Sequence, residues 1–107
     1  MLSKQLLWAC SMVLALNLGA APLRAETIQV AIDKMEFSPA QIDVKVGDTI
    51  EWVNKDILAH TATAKGGWDV VIPPKKSASM VVRAAGSVDY YCRFHPNMMG
   101  RITVSAP

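Results

Sequence analysis

Apolar and polar residues alternate with a period of two along most of the chain after residue 26. Each alternating set predicts a β-strand with one buried face, because successive side chains of a strand point to opposite sides. The apolar members of the sets are Ile28, Val30 and Ile32; Ile42, Val44 and Val46; Ile50 and Trp52; Met80 and Val82; Val88, Tyr90 and Cys92; and Ile102 and Val104. No apolar run combines helical spacing with capping residues, so the pattern predicts an all-β domain.

Turn-forming residues separate the predicted strands at short intervals. They include Ser38-Pro39, Gly47-Asp48, Asn54-Lys55-Asp56, Lys65-Gly66-Gly67, Pro73-Pro74, Ala85-Gly86-Ser87 and His95-Pro96-Asn97. Glycine and proline favour turns through their backbone dihedral angles, and asparagine, aspartate and serine do so through local hydrogen bonds. Six to eight short strands joined in this way predict a two-sheet antiparallel Greek-key β-sandwich.

The first 25 residues differ in composition from the rest of the chain. Lys4 precedes a largely apolar stretch at residues 5–18, and a small residue, Ala25, ends the segment. A basic start, an apolar stretch and a small residue before the cut are the parts of a secretory signal peptide. We therefore predict a signal peptide at residues 1–25 and a periplasmic or otherwise exported domain at residues 26–107.

An uncleaved membrane anchor is the alternative interpretation of this first segment. A helix that crosses the hydrocarbon layer of a bilayer needs roughly 20 consecutive apolar residues. Asn17 and Gly19 end the apolar stretch before it reaches that length. The sequence therefore favours the signal peptide, and no stable membrane insertion is expected.

The charge and the cysteine content both change when the predicted signal peptide is subtracted. The full chain carries 11 Lys and Arg against 9 Asp and Glu, a net charge of +2. Lys4 and Arg24 belong to the signal peptide, so the remaining domain is neutral, which argues against binding of nucleic acid or anionic lipid. Cys10 is subtracted as well, and Cys92 then has no partner for an intramolecular disulfide.

The segment from Cys92 to Met98 places Cys, His and Met at three-residue intervals, where one predicted strand ends and before the next begins. A tight loop can direct Cys92, His95 and Met98 at one point. The other histidine, His60, follows the strand end at residues 52–54, and a sandwich can bring it to the same end. Two histidines and a cysteine in a plane, with a weak axial methionine, are typical of type 1 blue copper, whereas zinc normally takes four strong ligands.

Each of these residues also has an ordinary structural interpretation. A lone cysteine at a strand end is often a small buried hydrophobe, and methionine often fills irregular gaps in a core. A histidine in an apolar segment such as Leu58-Ala59-His60 is often a hydrogen-bonded core residue. The combination of all four residues at ligand spacing, in one exported β domain, favours copper.

Three segments of the chain resemble the cupredoxin family of type 1 blue copper proteins, most closely its amicyanin, pseudoazurin and plastocyanin branches. The segments are Met35-Glu36-Phe37-Ser38-Pro39, residues 46–54 (VGDTIEWVN) and residues 91–100 (YCRFHPNMMG). The resemblance extends over essentially the whole of residues 26–107. It implies a cupredoxin-like sandwich that holds one copper ion per chain.

The resemblance also implies which residues bind the copper: His60, Cys92, His95 and Met98. Met99 is the competitor for the axial position, because other cupredoxins place their methionine farther from the histidine. Two positions depart from the family pattern. Thr61 stands where family members commonly have Asn, and Phe94 stands where amicyanins and plastocyanins carry Pro.

The function that the resemblance implies is one-electron transfer between redox partners by a monomer. The chain has two histidines, too few for the multi-histidine copper clusters of oxidases and copper nitrite reductases, so we do not expect an enzyme. A donor dehydrogenase and an acceptor c-type cytochrome are the expected partners. They are expected to dock on an apolar patch around the ligand His95, formed by Phe94, Pro96, Met98 or Met99, Ile57 and Leu58. The alternative is a periplasmic copper carrier or buffer that delivers or sequesters copper, and redox behaviour distinguishes the two.

Overall fold

The computed structural model describes residues 24–107. Cys10 and residues 1–23 of the predicted signal peptide lie outside the described residues. This part of the chain forms nine strands: β1 (Thr27–Asp33), β2 (Glu36–Ser38), β3 (Gln41–Lys45), β4 (Thr49–Asn54), β5 (His60–Thr63), β6 (Asp69–Ile72), β7 (Ser77–Val81), β8 (Gly86–Cys92) and β9 (His95–Ser105). Every predicted alternating set lies in one of these strands or directly beside it. Among the described residues, no helix has the length and apolar character needed to cross a bilayer.

The strands form two sheets, with the orders β2-β1-β4-β7 and β3-β9-β8-β5-β6. The predicted all-β, two-sheet sandwich is confirmed. Most neighbouring strands are antiparallel, but β1 pairs with β4 and β3 pairs with β9 in parallel. These parallel pairs arise because the chain leaves the first sheet after β2, adds β3 to the second sheet, and returns with β4.

The hydrophobic core lies between the two sheets and is formed by the inward residues of the alternating sets. Trp52 and Tyr90 are its largest fully buried side chains. Their rings meet edge to face with centroids 5.8 Å apart, and Trp52 Nε1 donates a hydrogen bond to the Tyr90 hydroxyl at 3.4 Å. Burial raises the pKa of Tyr90 to about 12, although the bond from Trp52 opposes the shift. The hydroxyl therefore remains neutral at physiological pH.

Strand β5, which the alternation did not predict, begins at His60 and is buried at all four positions. It lies between β6 and β8 in the second sheet. Its polar members Thr61 and Thr63 are buried because their hydroxyls bond to each other and to further polar groups. A strand with buried threonines shows no alternation of apolar and polar residues, and the sequence pattern could not reveal it.

The connection between β8 and β9 is shorter than the sequence pattern predicted. A two-residue turn, Arg93-Phe94, joins the strands, and Cys92 pairs with His95 across it. The turn predicted at residues 95–97 is wrong, because these residues belong to β9. An irregularity in the pairing of β8 with β9, between Tyr91 and Cys92, accompanies the turn.

Candidate metal centre

Three of the predicted ligands meet at one end of the sandwich. His60 begins β5, Cys92 ends β8, and His95 begins β9. Cys92 Sγ lies 3.8 Å from His60 Nδ1 and 3.6 Å from His95 Nδ1. One donor atom from each of the three residues lies within 4.8 Å of the other two. Donors at this separation can bind a single metal ion.

The burial of these side chains is uneven. His60 and Cys92 are fully buried, whereas His95 is partly exposed. The two methionines that compete for the axial position also differ, because adjacent residues of a strand point to opposite faces. Met98 is 4% exposed and belongs to the same core cluster as Cys92, whereas Met99 is 66% exposed. The interior of the sandwich therefore offers a thioether from Met98 and not from Met99.

The ring of His60 is oriented by Asp56, four residues earlier in the chain. His60 Nε2 lies 2.8 Å from Asp56 Oδ2. A carboxylate accepts hydrogen bonds, so Nε2 carries the proton and Nδ1 presents its lone pair toward Cys92 and His95. This is the tautomer that binds a metal through Nδ1.

Asp56 is held in turn by the hairpin turn between β1 and β2. The backbone N–H groups of Lys34 and Met35 donate to its two carboxylate oxygens at 2.8 and 3.1 Å. Both residues have positive φ, 52° and 64°, as a type I′ turn requires. Burial by itself would raise the pKa of Asp56, but the hydrogen bonds from Met35, His60 and Lys34 outweigh it and keep that pKa below its usual value.

The Cys92 sulfur receives a hydrogen bond from the backbone of β5. The Thr61 N–H donates to Sγ at 3.3 Å, and the Thr61 hydroxyl accepts the Arg93 N–H at 2.8 Å. A donor at the sulfur stabilises the negative charge of a thiolate. Thr61 occupies the position where the family commonly has Asn, and here its hydroxyl links β5 to the turn that follows Cys92.

The chemistry of the donor set fits copper. Imidazole nitrogen suits copper, and soft thiolate and thioether sulfur suit Cu(I) in particular. The cluster contains three strong donors and no fourth cysteine, histidine or carboxylate among residues 24–107. A structural zinc site takes four strong donors in most proteins.

The sequence profile of the cupredoxin-like domain matches residues 6–104. This chain belongs to the cupredoxin-like family. Amicyanins from Paracoccus versutus and Paracoccus denitrificans are 29% and 32% identical to it; each alignment covers 80% of this chain, and 70% and 71% of the relative. The plastocyanin of Prochlorothrix hollandica is 29% identical, with 83% of this chain and 81% of the relative covered.

Solved structures give the same family assignment. The oxidized state of a proline-to-alanine variant of amicyanin superposes with a TM-score of 0.70 at 30% identity, covering 74% of this chain and 82% of the other. The reduced state of a proline-to-phenylalanine variant gives a TM-score of 0.68 at 31% identity, with the same coverage. Together with the His60, Cys92 and His95 cluster, these relatives support a blue copper electron carrier with a single type 1 copper.

Sequence reasoning missed the residues that hold the ligands in place. Asp56 stands in a segment that reads as a turn, and Thr63 and Asp69 lie far from the cysteine in sequence. The spacing of Asp56 to His60 is a weak signal, because a carboxylate four residues from a histidine is common. The contacts of Thr63 and Asp69 depend on the pairing of β5 with β6 and β8, which the sequence pattern did not contain.

Proposed function

We propose that this protein is a small exported one-electron carrier in which His60, Cys92, His95 and Met98 hold the copper. The observation that supports this assignment best is the convergence of a buried thiol with two imidazole nitrogens, within 4.8 Å of one another. The bound copper supplies a one-electron couple between Cu(I) and Cu(II). With the strong positions filled by side chains, no position is left for a substrate.

The protein contributes a rigid set of donors. His60 is held by Asp56, Cys92 is held by Thr61, and Met98 is packed in the core. Donors that are fixed by packing and hydrogen bonds move little when the charge of the metal changes. Small movement lowers the structural cost of each electron transfer, as a carrier requires.

His95 is the ligand through which electrons enter and leave in this proposal, because it is the partly exposed ligand. The apolar rim, defined as Ile57, Leu58, Phe94 and Pro96, supplies exposed apolar side chains at this end of the sandwich. Ile57 is 80% exposed, and Leu58 and Phe94 are about half exposed. A contiguous patch of exposed apolar side chains can mark a protein interaction site, and a small patch suits a transient redox contact.

Neither methionine joins this rim as an exposed side chain. Met98 is buried, and it borders an open groove of about 640 Å³ that also includes Phe94, His95 and Pro96. Met99 lies on the opposite face of β9, beside Gln41 and Asp89. We therefore place the docking surface on the apolar rim without Met99.

The proposed partners are an amine-oxidising dehydrogenase as donor and a c-type cytochrome as acceptor. A similar protein of Methylorubrum extorquens is named methylamine utilization protein MauL; it is 30% identical, with 90% of this chain and 89% of the relative covered. This name supports an amine-oxidising system as the context of the family branch. A copper carrier or buffer remains the second candidate function, since the same four side chains serve either role.

Export through a signal peptide at residues 1–25 is part of the proposal. Glu26, the first residue after that segment, is already bonded to the folded domain. Its N–H donates to Asp48 Oδ1 at 2.9 Å, and its carbonyl accepts the Thr49 N–H at 2.8 Å. Removal of the preceding residues therefore leaves every strand intact.

The deciding experiment is the visible spectrum and voltammetry of the copper-loaded protein, with Cys92→Ser as the variant and the exposed change Met99→Leu as the control. We expect the wild type and Met99→Leu to be intensely blue when oxidised and to cycle reversibly, because the colour arises from the copper–thiolate bond. Cys92→Ser should lose the blue band. A wild type that binds Cu(I) tightly but shows no blue Cu(II) form would establish the copper carrier instead.

A further inference from the structure

A closed ring of hydrogen bonds links the backbone N–H of Arg93 to the guanidinium of the same residue. The ring passes through side chains of β5 and β6. The Arg93 backbone N–H donates to Thr61 Oγ1 at 2.8 Å, and Thr61 Oγ1 lies 2.9 Å from Thr63 Oγ1. Thr63 Oγ1 donates to Asp69 Oδ1. The ring closes where Arg93 Nε and Nη2 donate to Asp69 Oδ1 and Oδ2 at 2.9 and 3.0 Å. We call these four residues the Arg93 ring.

The direction of every hydrogen bond in the ring is determined. An ionised carboxylate only accepts, so Thr63 gives its single hydroxyl proton to Asp69. Thr63 therefore has no proton left for Thr61, and Thr61 must be the donor between the two hydroxyls. The sequence of donation runs from the Arg93 amide through Thr61 and Thr63 to Asp69. Bonds arranged head to tail in this way polarise and strengthen one another.

The burial of the ring is graded. Thr61 is fully buried and Thr63 is 7% exposed, whereas Arg93 and Asp69 have side chains that are 41% and 43% exposed. The Arg93 guanidinium and the Thr63 hydroxyl keep the pKa of Asp69 below its usual value, so the carboxylate is ionised at neutral pH. The buried hydroxyls have no other partner in the described residues, and an unpaired buried hydroxyl is costly.

We propose that the Arg93 ring positions the copper-binding turn, with Thr63 and Asp69 acting as positioning residues for Cys92. Thr61 carries the connection, because its hydroxyl belongs to the ring while its N–H donates to Cys92 Sγ. The ring thereby fixes the donor that faces the thiolate. This inference rests on the proposed ligand set and goes beyond it, since neither Thr63 nor Asp69 forms a hydrogen bond with a proposed ligand.

An ordinary surface ion pair is the competing explanation of the Arg93 and Asp69 contact. Exposed pairs of this kind contribute little to stability and are screened by salt. The two explanations differ in the role of Thr63, because a surface ion pair does not need a buried hydroxyl. A test at Thr63 also leaves the charges around the copper unchanged, which a substitution of Arg93 or Asp69 does not.

The experiment compares Thr63→Val with Thr63→Ser in the copper-loaded protein, produced by export of the full chain. Thr49→Val is the matched control, because it makes the same change away from the ligand region. Thr49 is the first residue of β4, and the ligand region follows the other end of that strand, at Asn54. The Cu(I) form is diamagnetic, so hydrogen exchange of the Arg93 amide can be followed by NMR. The reduction potential is measured on the same samples by voltammetry.

Thr63→Val removes the acceptor of the Thr61 hydroxyl proton. The Thr61 hydroxyl then turns toward another acceptor, and the hydrogen bond that it accepts from the Arg93 amide weakens. We expect that amide to exchange about tenfold faster, which is the effect of losing one hydrogen bond of ordinary strength. We expect the potential to fall, because a weaker Thr61 N–H contact leaves more negative charge on the sulfur and favours Cu(II). Thr63→Ser should restore both values, and Thr49→Val should change neither.

An unchanged Arg93 exchange rate and an unchanged potential in Thr63→Val would overturn the proposal. If Thr63→Val does not fold, the exchange rate of the Arg93 amide in Thr63→Ala decides, because alanine also lacks the hydroxyl and leaves the Arg93–Asp69 ion pair in place. It is compared with Thr49→Ala. Faster exchange in Thr63→Ala alone supports the ring, and equal rates reject it. A wild type without a reversible couple would instead reject the electron-carrier function, and the exchange rates would still decide on the ring.

Discussion

The Asp56 carboxylate joins the hairpin between β1 and β2 to His60, and these two segments are far apart in sequence. It accepts hydrogen bonds from Lys34 and Met35 on one hairpin and from the ring of His60. A carboxylate on the outer nitrogen of a metal-binding histidine sets the tautomer and increases the basicity of the inner nitrogen. One side chain thus converts a buried histidine into an oriented donor.

We predict that Asp56→Asn lowers copper affinity by about 10- to 100-fold, the usual effect of losing such a partner. The amide keeps the size of the side chain but binds the imidazole N–H less strongly. Competition with a chelator of known affinity measures the change. Asp33→Asn is the control, because it removes the same charge from an exposed residue at the end of β1. Equal affinities of the two variants would contradict the orienting role of Asp56.

Strand geometry, rather than residue type, separates the two adjacent methionines. Strand β9 alternates regularly from Met98 onward, with Met98, Gly100, Ile102 and Val104 on the buried face. The three-residue spacing and the family resemblance both indicated Met98 as the axial donor, with Met99 as its competitor. The burial of Met98 agrees with that preference, because a one-residue change of register would place Met99 in the core.

We predict that Met98→Leu raises the reduction potential and alters the visible spectrum of the oxidised protein, whereas Met99→Leu leaves both unchanged. The axial ligand tunes the potential of a type 1 site, and loss of a weak thioether donor destabilises Cu(II) more than Cu(I). Leucine has nearly the volume of methionine, so the core remains filled. Voltammetry and absorption spectra of the two variants provide the test; a larger effect from Met99→Leu would reverse the assignment.

Asn54 shows how one end of β4 shapes the ligand region. Its buried side-chain amide donates to the carbonyls of Leu58, Ile72 and Pro73 at 2.8, 3.2 and 3.1 Å. These bonds hold the segment before His60 against the end of β6. The sequence pattern predicts a turn that starts at Asn54, and Asn54 is the last residue of β4. Its hydrogen-bond partners follow only from the tertiary packing.

Asp48 links backbone segments at the end of the sandwich opposite the metal centre. It lies in the turn that joins β3 to β4, and its side chain is buried. Its carboxylate accepts the N–H groups of Glu26 and Lys45 at 2.9 and 2.8 Å. These two bonds hold the pKa of Asp48 below its usual value. If the signal peptide is cut after Ala25, the nitrogen of Glu26 becomes a positively charged terminus beside this carboxylate.

We predict that Asp48→Asn destabilises the protein at neutral pH and that the loss disappears in acid. A carboxylate whose folded pKa is depressed stabilises the fold above its unfolded pKa of about 4, and this contribution is lost as pH falls through the folded pKa. Denaturant unfolding at pH 7 and at low pH measures the difference. Asp43→Asn, an exposed change in the neighbouring strand, is the control. A difference between wild type and Asp48→Asn that does not shrink in acid would contradict this account.

The sequence by itself determined the features that depend on neighbouring residues. The alternation of apolar residues predicted most strands, because the period of a strand is local. The three-residue spacing of Cys92, His95 and Met98 predicted a shared site, because residues so close in the chain remain close in space.

Only the tertiary structure decided the features that depend on distant residues. Strand β5 and the Arg93 ring require the pairing of β5 with β6 and β8 in the second sheet, and Asp56 is held by the β1–β2 hairpin of the first sheet. Threonines such as Thr61 and Thr63 look like surface residues in a sequence, since nothing local shows that their hydroxyls will find partners. A buried polar group is stable only where its partner is supplied, and here the packing of strands far apart in the chain supplies it.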